Sequence, residues 1–534
     1  MDIPLFSLYS VLLTAASLIL FFFFLWRREQ RLSLPPGPSG WPILGNLIQL
    51  GKRPHESLYA LSVKYGPLMT LRLGMRTVVV VSSPAMAKEV FKTHDNILAG
   101  RMVTEAHKSL SHDKSSIIWA DYGPYWRHLR RISTVELFSP KRLEALQHLR
   151  RDQVFSTIRL IFEDKGKVVN IAHTVFCTSL NLLGNMIFST SVFDPHNPAS
   201  AGLKDTICEL MVVAGKPNLV DFFPFLRFLD PQRVSREMDR LFKELYDFSD
   251  TFIQKRLSQS VQRKDSDKDF LDVLLDSRTE DFTLVGVRAL IAESTEKIKS
   301  KLIRVYKYIS AIFQTSNCDL WFQELFIAGT ETTTTTIEWA MAELIRNPQK
   351  LNRARQELDE VVGCNRKVEE TDLDRLPYLH AAVKEVFRLR TTGPLLLPHK
   401  ATSSCEIGGF VIPKDTQVMV NVWAMGRDSS IWKNPLEFTP ERFLEGESNS
   451  KIDYRGQDFE LIPFGAGRRM CPGLPLASRM VHLVLASLLH SFEWKLPDGM
   501  SCEQMDMSDD FGITLKKAAD LRAIPTPRLP HPIY

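Results

Sequence analysis

The sequence predicts a mainly α-helical chain with small β-sheets, preceded by one N-terminal transmembrane helix. Three observations carry that expectation. Residues 140–280 and stretches further on space their apolar residues at helical intervals. Short runs at 68–73 and 77–82 are rich in β-branched and apolar residues, as strands are. Ile3 to Trp26 is nearly continuous apolar sequence without a charged residue, and its length is enough to cross a bilayer once.

Composition narrows the function classes. The 534 residues carry a net charge of +5, too little to argue for a nucleic-acid partner, and no basic run interleaved with aromatics is visible. The seven cysteines are scattered, with no C-x-x-C, which argues against a disulfide framework or a zinc ribbon. There is no N-x-S/T sequon, in keeping with a body outside the secretory lumen.

In chain order, the apolar run is followed at once by Arg27, Arg28 and Arg31, with only Asp2 before it. Positive-inside logic puts the N-terminus in the lumen and the body in the cytosol. A cleaved signal peptide would carry its basic residues before the run and a small-residue cleavage site after it. Pro35-Pro36-Gly37-Pro38 then makes a stiff extended elbow. The expected organisation is an anchor at 3–26, a basic and proline-rich hinge at 27–45, and one large domain from 46 to 534.

Gly74 turns the strand 68–73 into the strand 77–82, and a helix is expected over 85–93. Residues 101–118 read as an irregular polar connection, and 119–132 as a helix on which Trp126 and Arg130 share a face. Arg127 and Arg131 share another face, about 100° round. Two readings stand for that second face: a docking surface for an acidic electron donor, or an ordinary solvated charge row. Helical sequence at 140–280 breaks at 217–231.

Residues 323–346 read as a long apolar helix holding Ala328-Gly329-Thr330-Glu331-Thr332-Thr333. Threonine runs are poor helix material, and hydroxyls that divert backbone bonds can widen a helix locally. The plainer reading is a helix whose threonines bond their own carbonyls. On the expected helix 376–390, Glu385 and Arg388 are three apart and can pair. Pro440-Glu441-Arg442-Phe443 follows downstream.

The organising stretch is Pro463-Phe464-Gly465-Ala466-Gly467-Arg468-Arg469-Met470-Cys471-Pro472-Gly473. Its glycines permit angles or close approaches that a side chain would block, and Pro472 suits the first turn of the apolar helix 474–489. A thiolate at such a helix start meets free N–H groups and a positive dipole end. Arg469 can carry a counter-charge for a buried anion. A lone cysteine is a poor zinc site and a good axial ligand for haem iron.

Phe464, Gly467, Arg469, Cys471 and Gly473 spell F-x-x-G-x-R-x-C-x-G. The chain thereby resembles the cytochrome P-450 enzymes, and the resemblance covers nearly its whole length with four motifs in order. It implies the cytochrome P-450 fold, with haem b between the oxygen-binding helix and the cysteine-loop helix. Cys471 would be the axial ligand of the haem iron. Trp126, Arg130 and His399 would reach the haem propionates, with Phe464, Gly467 and Arg469 completing the cofactor site. Thr332 would hydrogen-bond the oxygen ligand and Glu331 would pass protons toward it. Glu385, Arg388 and Arg442 would form the family's structural triad. Leu395 to Leu397 and the turn Phe511-Gly512-Ile513-Thr514 would line the pocket. The chain departs from the family at Arg390-Thr391-Thr392, where His-Pro is common.

The anchor, hinge and cysteine loop look like plant microsomal members. The stretch from Lys216-Pro217-Asn218 to Asp230-Pro231-Gln232 resembles the branch of geraniol 8-hydroxylases and iridoid oxidases. The implied reaction is monooxygenation of a small apolar plant specialised metabolite, with a terpenoid favoured and an alkaloid or phenolic open. The implied site of action is the endoplasmic reticulum membrane, single-pass, with the catalytic domain cytosolic. No G-x-G-x-x-G follows a strand, so electrons would arrive from NADPH through a cytochrome P-450 reductase. Two other readings stand: a haem-thiolate isomerase or dehydratase that uses no O2, and an inactive haem-binding membrane protein. The last arises because residues 293–322 exceed the family pattern. They read either as an extra amphipathic helix near the membrane or as translated non-coding sequence.

Overall fold

A computed structural model describes residues 33–193, 198–258, 268–276 and 323–534. The expected anchor 3–26, the basic part of the hinge at 27–32 and the segment 293–322 lie outside the described residues. Within them the chain is mainly helical, with a five-stranded sheet and three small sheets.

The main sheet is built where the sequence is richest in valine. Leu68–Leu73 and Arg76–Val81 pair antiparallel, Leu68 opposite Val81. Arg76–Val81 then runs parallel to Gln417–Val420. Val78 to Val81 are fully buried, as suits a strand covered on both faces. Gln417–Val420 pairs with His399–Lys400, and that pair with Gly100–Arg101, which sets Arg101 opposite His399. The second strand starts at Arg76, one residue earlier than its sequence suggests. Gly74 (φ 58°) makes the turn and lies so close to Phe222 that a Cβ would stand 2.7 Å from its carbonyl oxygen. The proline elbow is tied to this sheet, since the Thr70 N–H donates to the Pro36 carbonyl at 2.8 Å.

Helices Gln147–Glu163, Ile171–Phe188, 323–346, Pro377–Leu389 and Leu474–Ser491 contribute to one large apolar core. Ile171–Phe188 and Leu474–Ser491 are long and apolar enough to cross a membrane, but 67% and 78% of their windows are buried inside the protein. They are core helices.

Three local expectations change. The helix expected from Trp119 begins at Pro124, because Gly123 is extended (φ −166°) and Pro124 suits a first turn. It then passes into a wider turn, Ile132–Leu137. The connection 101–118 is not wholly irregular: Glu105–Ser111 and His112–Ser115 are short helical turns joined at a kink, where Leu110 has φ 48°. The helix 323–346 is continuous through Ala328 to Thr333, so the expected widening there is absent. The threonine hydroxyls accept no diverted N–H; they donate to carbonyls four residues back, which leaves the ladder whole.

Candidate active site: a thiolate loop and a buried cation cluster

The cysteine loop is shaped by two left-handed glycines, Gly465 (φ 69°) and Gly467 (φ 67°). At Gly467 a Cβ would stand 2.6 Å from the Phe91 carbonyl oxygen and 2.7 Å from Asp95 Oδ1. That closeness lets Asp95 accept from the Arg468 N–H at 3.2 Å and from its guanidinium at 2.8 Å. The Cys471 N–H closes the loop on the Phe464 carbonyl at 3.0 Å. The Phe464 ring packs edge-on against Phe387, 5.2 Å between centroids. Gly473 differs from expectation: its φ is −80°, and a Cβ there would clash with nothing. It would sit 3.8 Å from Cys471 Sγ, filling the space beside the sulfur. Pro475 rather than Pro472 lies in the first turn of Leu474–Ser491.

Burial pushes the Cys471 thiol up, opposed by the Gly473 and Leu474 N–H groups and by Arg130. These are the groups a thiolate at a helix start would use. Arg130 reaches the loop itself, donating to the Met470 carbonyl at 2.5 Å. The Trp126 indole N–H donates to the Ile117 carbonyl at 2.8 Å, and its ring lies 4.5 Å under the Arg469 guanidinium.

Arg469 donates to the carbonyls of Ala99 (2.8 Å) and Ala120 (2.6 Å). Arg101 donates to those of Ile118 (3.2 Å) and Leu397 (2.9 Å). Both are buried, and neither forms an ion pair among the described residues. Burial, then the neighbouring arginine, lowers Arg101 to about 9. Burial lowers Arg469 to about 10. His399, also buried, donates from Nδ1 to the Leu98 carbonyl at 2.7 Å, which leaves Nε2 for a further partner. Burial, then Arg101, holds it well below the ordinary imidazole range. Buried cations without an ion-paired acid want an anion. One soft sulfur ligand, a glycine that keeps side-chain bulk away from it and a cluster of cations suited to carboxylates together fit haem with its two propionates. Sequence reasoning missed Arg101. Its strand position opposite His399 is the signal, and it exists only in the folded sheet.

On the helix 323–346, Thr332 Oγ1 donates to the Ala328 carbonyl at 2.6 Å. The plainer reading of the threonine run thus describes this hydroxyl's present bond. Burial raises Glu331, and its Oε1 accepts from Thr514 at 2.7 Å. Gly329 serves packing, since a Cβ would stand 2.9 Å from Leu183 Cδ1.

The structure brings Glu385, Arg388 and Arg442 together. Arg388 donates to both Glu385 oxygens, at 2.7 and 2.8 Å, and Arg442 Nε lies 3.2 Å from Oε1. Arg388 also donates to the carbonyls of Gly426, Pro435 and Glu437, while Arg442 donates to that of Lys433. The triad therefore clamps the segment 426–442 onto the helix Pro377–Leu389. Arg127 and Arg131 are exposed.

Comparison with known proteins agrees with this geometry. The family model "Cytochrome P450" matches residues 35–295 and 313–520. A geraniol 8-hydroxylase of Catharanthus roseus is 43% identical over 96% of this chain and 98% of its own length. One from Swertia mussotii is 44% identical over 93% and 94%. A probable (S)-N-methylcoclaurine 3'-hydroxylase of Coptis japonica is 41% identical over 95% and 96%. The chain belongs to the cytochrome P450 family, whose members bind haem b through a cysteine thiolate, and it is a monooxygenase of that family.

Proposed function

We propose that this chain hydroxylates a small apolar terpenoid alcohol such as a monoterpenol, with electrons from NADPH through a membrane-bound cytochrome P450 reductase. The observation that carries the substrate class is the near full-length similarity to two proteins named geraniol 8-hydroxylase. A benzylisoquinoline-type alkaloid is the second reading, supported by the similarity to the Coptis protein.

Haem held through a thiolate supplies reductive cleavage of O2, one oxygen atom entering the substrate and the other leaving as water. The chain's own groups do the rest. Cys471 binds, with the Gly473 and Leu474 N–H groups and Arg130 holding its charge. Arg101, Arg469 and His399 would hold the propionates. Glu331 would hold and pass a proton at its carboxyl, and the Thr332 hydroxyl, now given to the Ala328 carbonyl, would be the donor facing the reaction space. The exposed Arg127 and Arg131 offer a basic face on which an acidic electron donor would dock.

The working location is the endoplasmic reticulum membrane, with residues 3–26 as a single-pass anchor and the catalytic domain in the cytosol. The interruption of the family match between residues 295 and 313 supports reading 293–322 as an insertion.

The test is the carbon-monoxide difference spectrum of the reduced full-length protein in membranes, followed by product analysis with reductase, NADPH and geraniol. A strongly red-shifted Soret band with hydroxygeraniol formed is the expected result. A band without product turns the search to alkaloids. No band in the full chain, but a band in one lacking 293–322, assigns the fault to the insertion.

A further inference from the structure

The turn Phe511-Gly512-Ile513-Thr514 is fastened to the helix that carries Glu331. The Thr514 hydroxyl donates to Glu331 Oε1 at 2.7 Å, across 183 positions of sequence. Thr514 is 5% exposed and closes the hairpin between Asp509–Phe511 and Leu515–Lys517. Its own carbonyl accepts from the Gly512 N–H at 3.2 Å. The next residue extends the attachment. The Leu515 N–H donates to the Thr392 carbonyl at 2.8 Å, and the Thr392 hydroxyl bonds that of Thr336 at 3.1 Å. The Leu515 carbonyl accepts from the Trp339 indole at 3.1 Å. The hairpin therefore meets the helix directly at Glu331 and Trp339, and through Thr392 at Thr336. On its other side, the end of the helix Pro198–Gly215 packs so tightly that a Cβ at Gly215 would stand 3.0 Å from Ile513 N.

A glutamate side chain has three rotatable bonds and samples several rotamers unless something selects one. Thr332 does not select it, because that hydroxyl is given to the Ala328 carbonyl. Thr514 does, and it comes from an element that is itself immobilised at both ends. A donor on Oε1 also leaves Oε2 open to take up or release a proton.

We propose that Thr514 is the positioning residue of Glu331: its hydroxyl fixes the carboxyl of that acid, so the turn that borders the pocket also sets the acid that delivers protons. This rests on the reading of Glu331 as the proton-carrying acid. Burial raises the Glu331 carboxyl, while Thr514 and Lys516 oppose the rise. Cys208, on the helix Pro198–Gly215, is a further titratable group that feels this carboxylate. Without the Thr514 donor, the carboxylate keeps only the weaker pull of Lys516 and its pKa climbs further.

The experiment uses the full-length, haem-loaded protein and the variants Thr514→Val, Thr514→Ser and Glu331→Gln. An infrared pH titration follows the carboxylic C=O band that disappears in Glu331→Gln. In Thr514→Val its midpoint is expected to rise by about one pH unit, and in Thr514→Ser to return to the parent value. An unchanged midpoint in Thr514→Val overturns the proposal. Product formed per NADPH consumed, with geraniol as probe, is expected to fall several-fold in Thr514→Val at an unchanged carbon-monoxide band, and to recover in Thr514→Ser. If the midpoint shifts as expected but Glu331→Gln leaves this ratio unchanged, Thr514 does position Glu331 and it is the proton-carrying reading that fails.

Discussion

Arg388 and Glu385 face each other with no exposure to solvent, joined by two hydrogen bonds of 2.7 and 2.8 Å. The pair is three residues apart on one helix, yet its value comes from elsewhere in the chain. Glu385 also accepts from the Thr439 N–H at 2.8 Å. Arg388 satisfies three carbonyls of the segment 426–437.

Glu385→Gln should therefore be severe. It leaves two buried guanidinium groups without their shared anion, a loss on the order of 3–5 kcal/mol. Chemical denaturation of the purified variant, together with the amplitude of its carbon-monoxide band, measures the loss. Stability within 1 kcal/mol of the parent would refute the clamp.

The buried Arg101 predicts effects of opposite sign with and without haem. In the apoprotein its charge lacks an acidic partner among the described residues, so Arg101→Met should leave stability unchanged or raise it. With haem bound, the same change removes a charge-assisted contact and weakens haem retention by about 1–3 kcal/mol. Denaturation of both forms, and the rate of haem transfer to apomyoglobin, separate the two effects.

Gly467→Ala should cost about 1–3 kcal/mol, because the residue is left-handed and its Cβ would press on the Phe91 carbonyl and Asp95. Gly473→Ala is the contrast. Its backbone is ordinary and its Cβ meets only Cys471 Sγ at 3.8 Å. Its effect should appear in the carbon-monoxide band and not in the denaturation midpoint of the apoprotein.

His55 predicts an acid sensitivity. Its ring stacks on Phe511 (5.2 Å) and meets the Trp423 ring edge-on (5.0 Å), and neither nitrogen has a hydrogen-bond partner among the described residues. Burial lowers its pKa to about 4, outweighing Asp509, which raises it, while Arg53 and Arg427 add to the lowering. The unfolded chain takes up this proton near pH 6.5 and the folded chain only near 4. The contribution is therefore whole above pH 6.5 and lost as pH falls to about 4, roughly 3 kcal/mol in all. Denaturation midpoints of His55→Phe across that range should fall less steeply than those of the parent.

The sequence by itself determined what local periodicity and short motifs can encode. The strand Leu68–Leu73 lies where its β-branched pattern put it, and Pro377–Leu389 and Leu474–Ser491 fall within two residues of expectation. The cysteine loop and the E-x-x-R pair were legible because their partners lie within a few residues. Tertiary structure decided which distant groups meet. It gave the Trp126 indole to Ile117, brought Arg130 to the loop at Met470 and set Arg101 opposite His399. It also placed Thr514 on Glu331. The physical reason is that a buried polar group must be satisfied by whatever the closed fold brings within about 3 Å. Spacing along the chain says nothing of a partner 183 or 370 positions away.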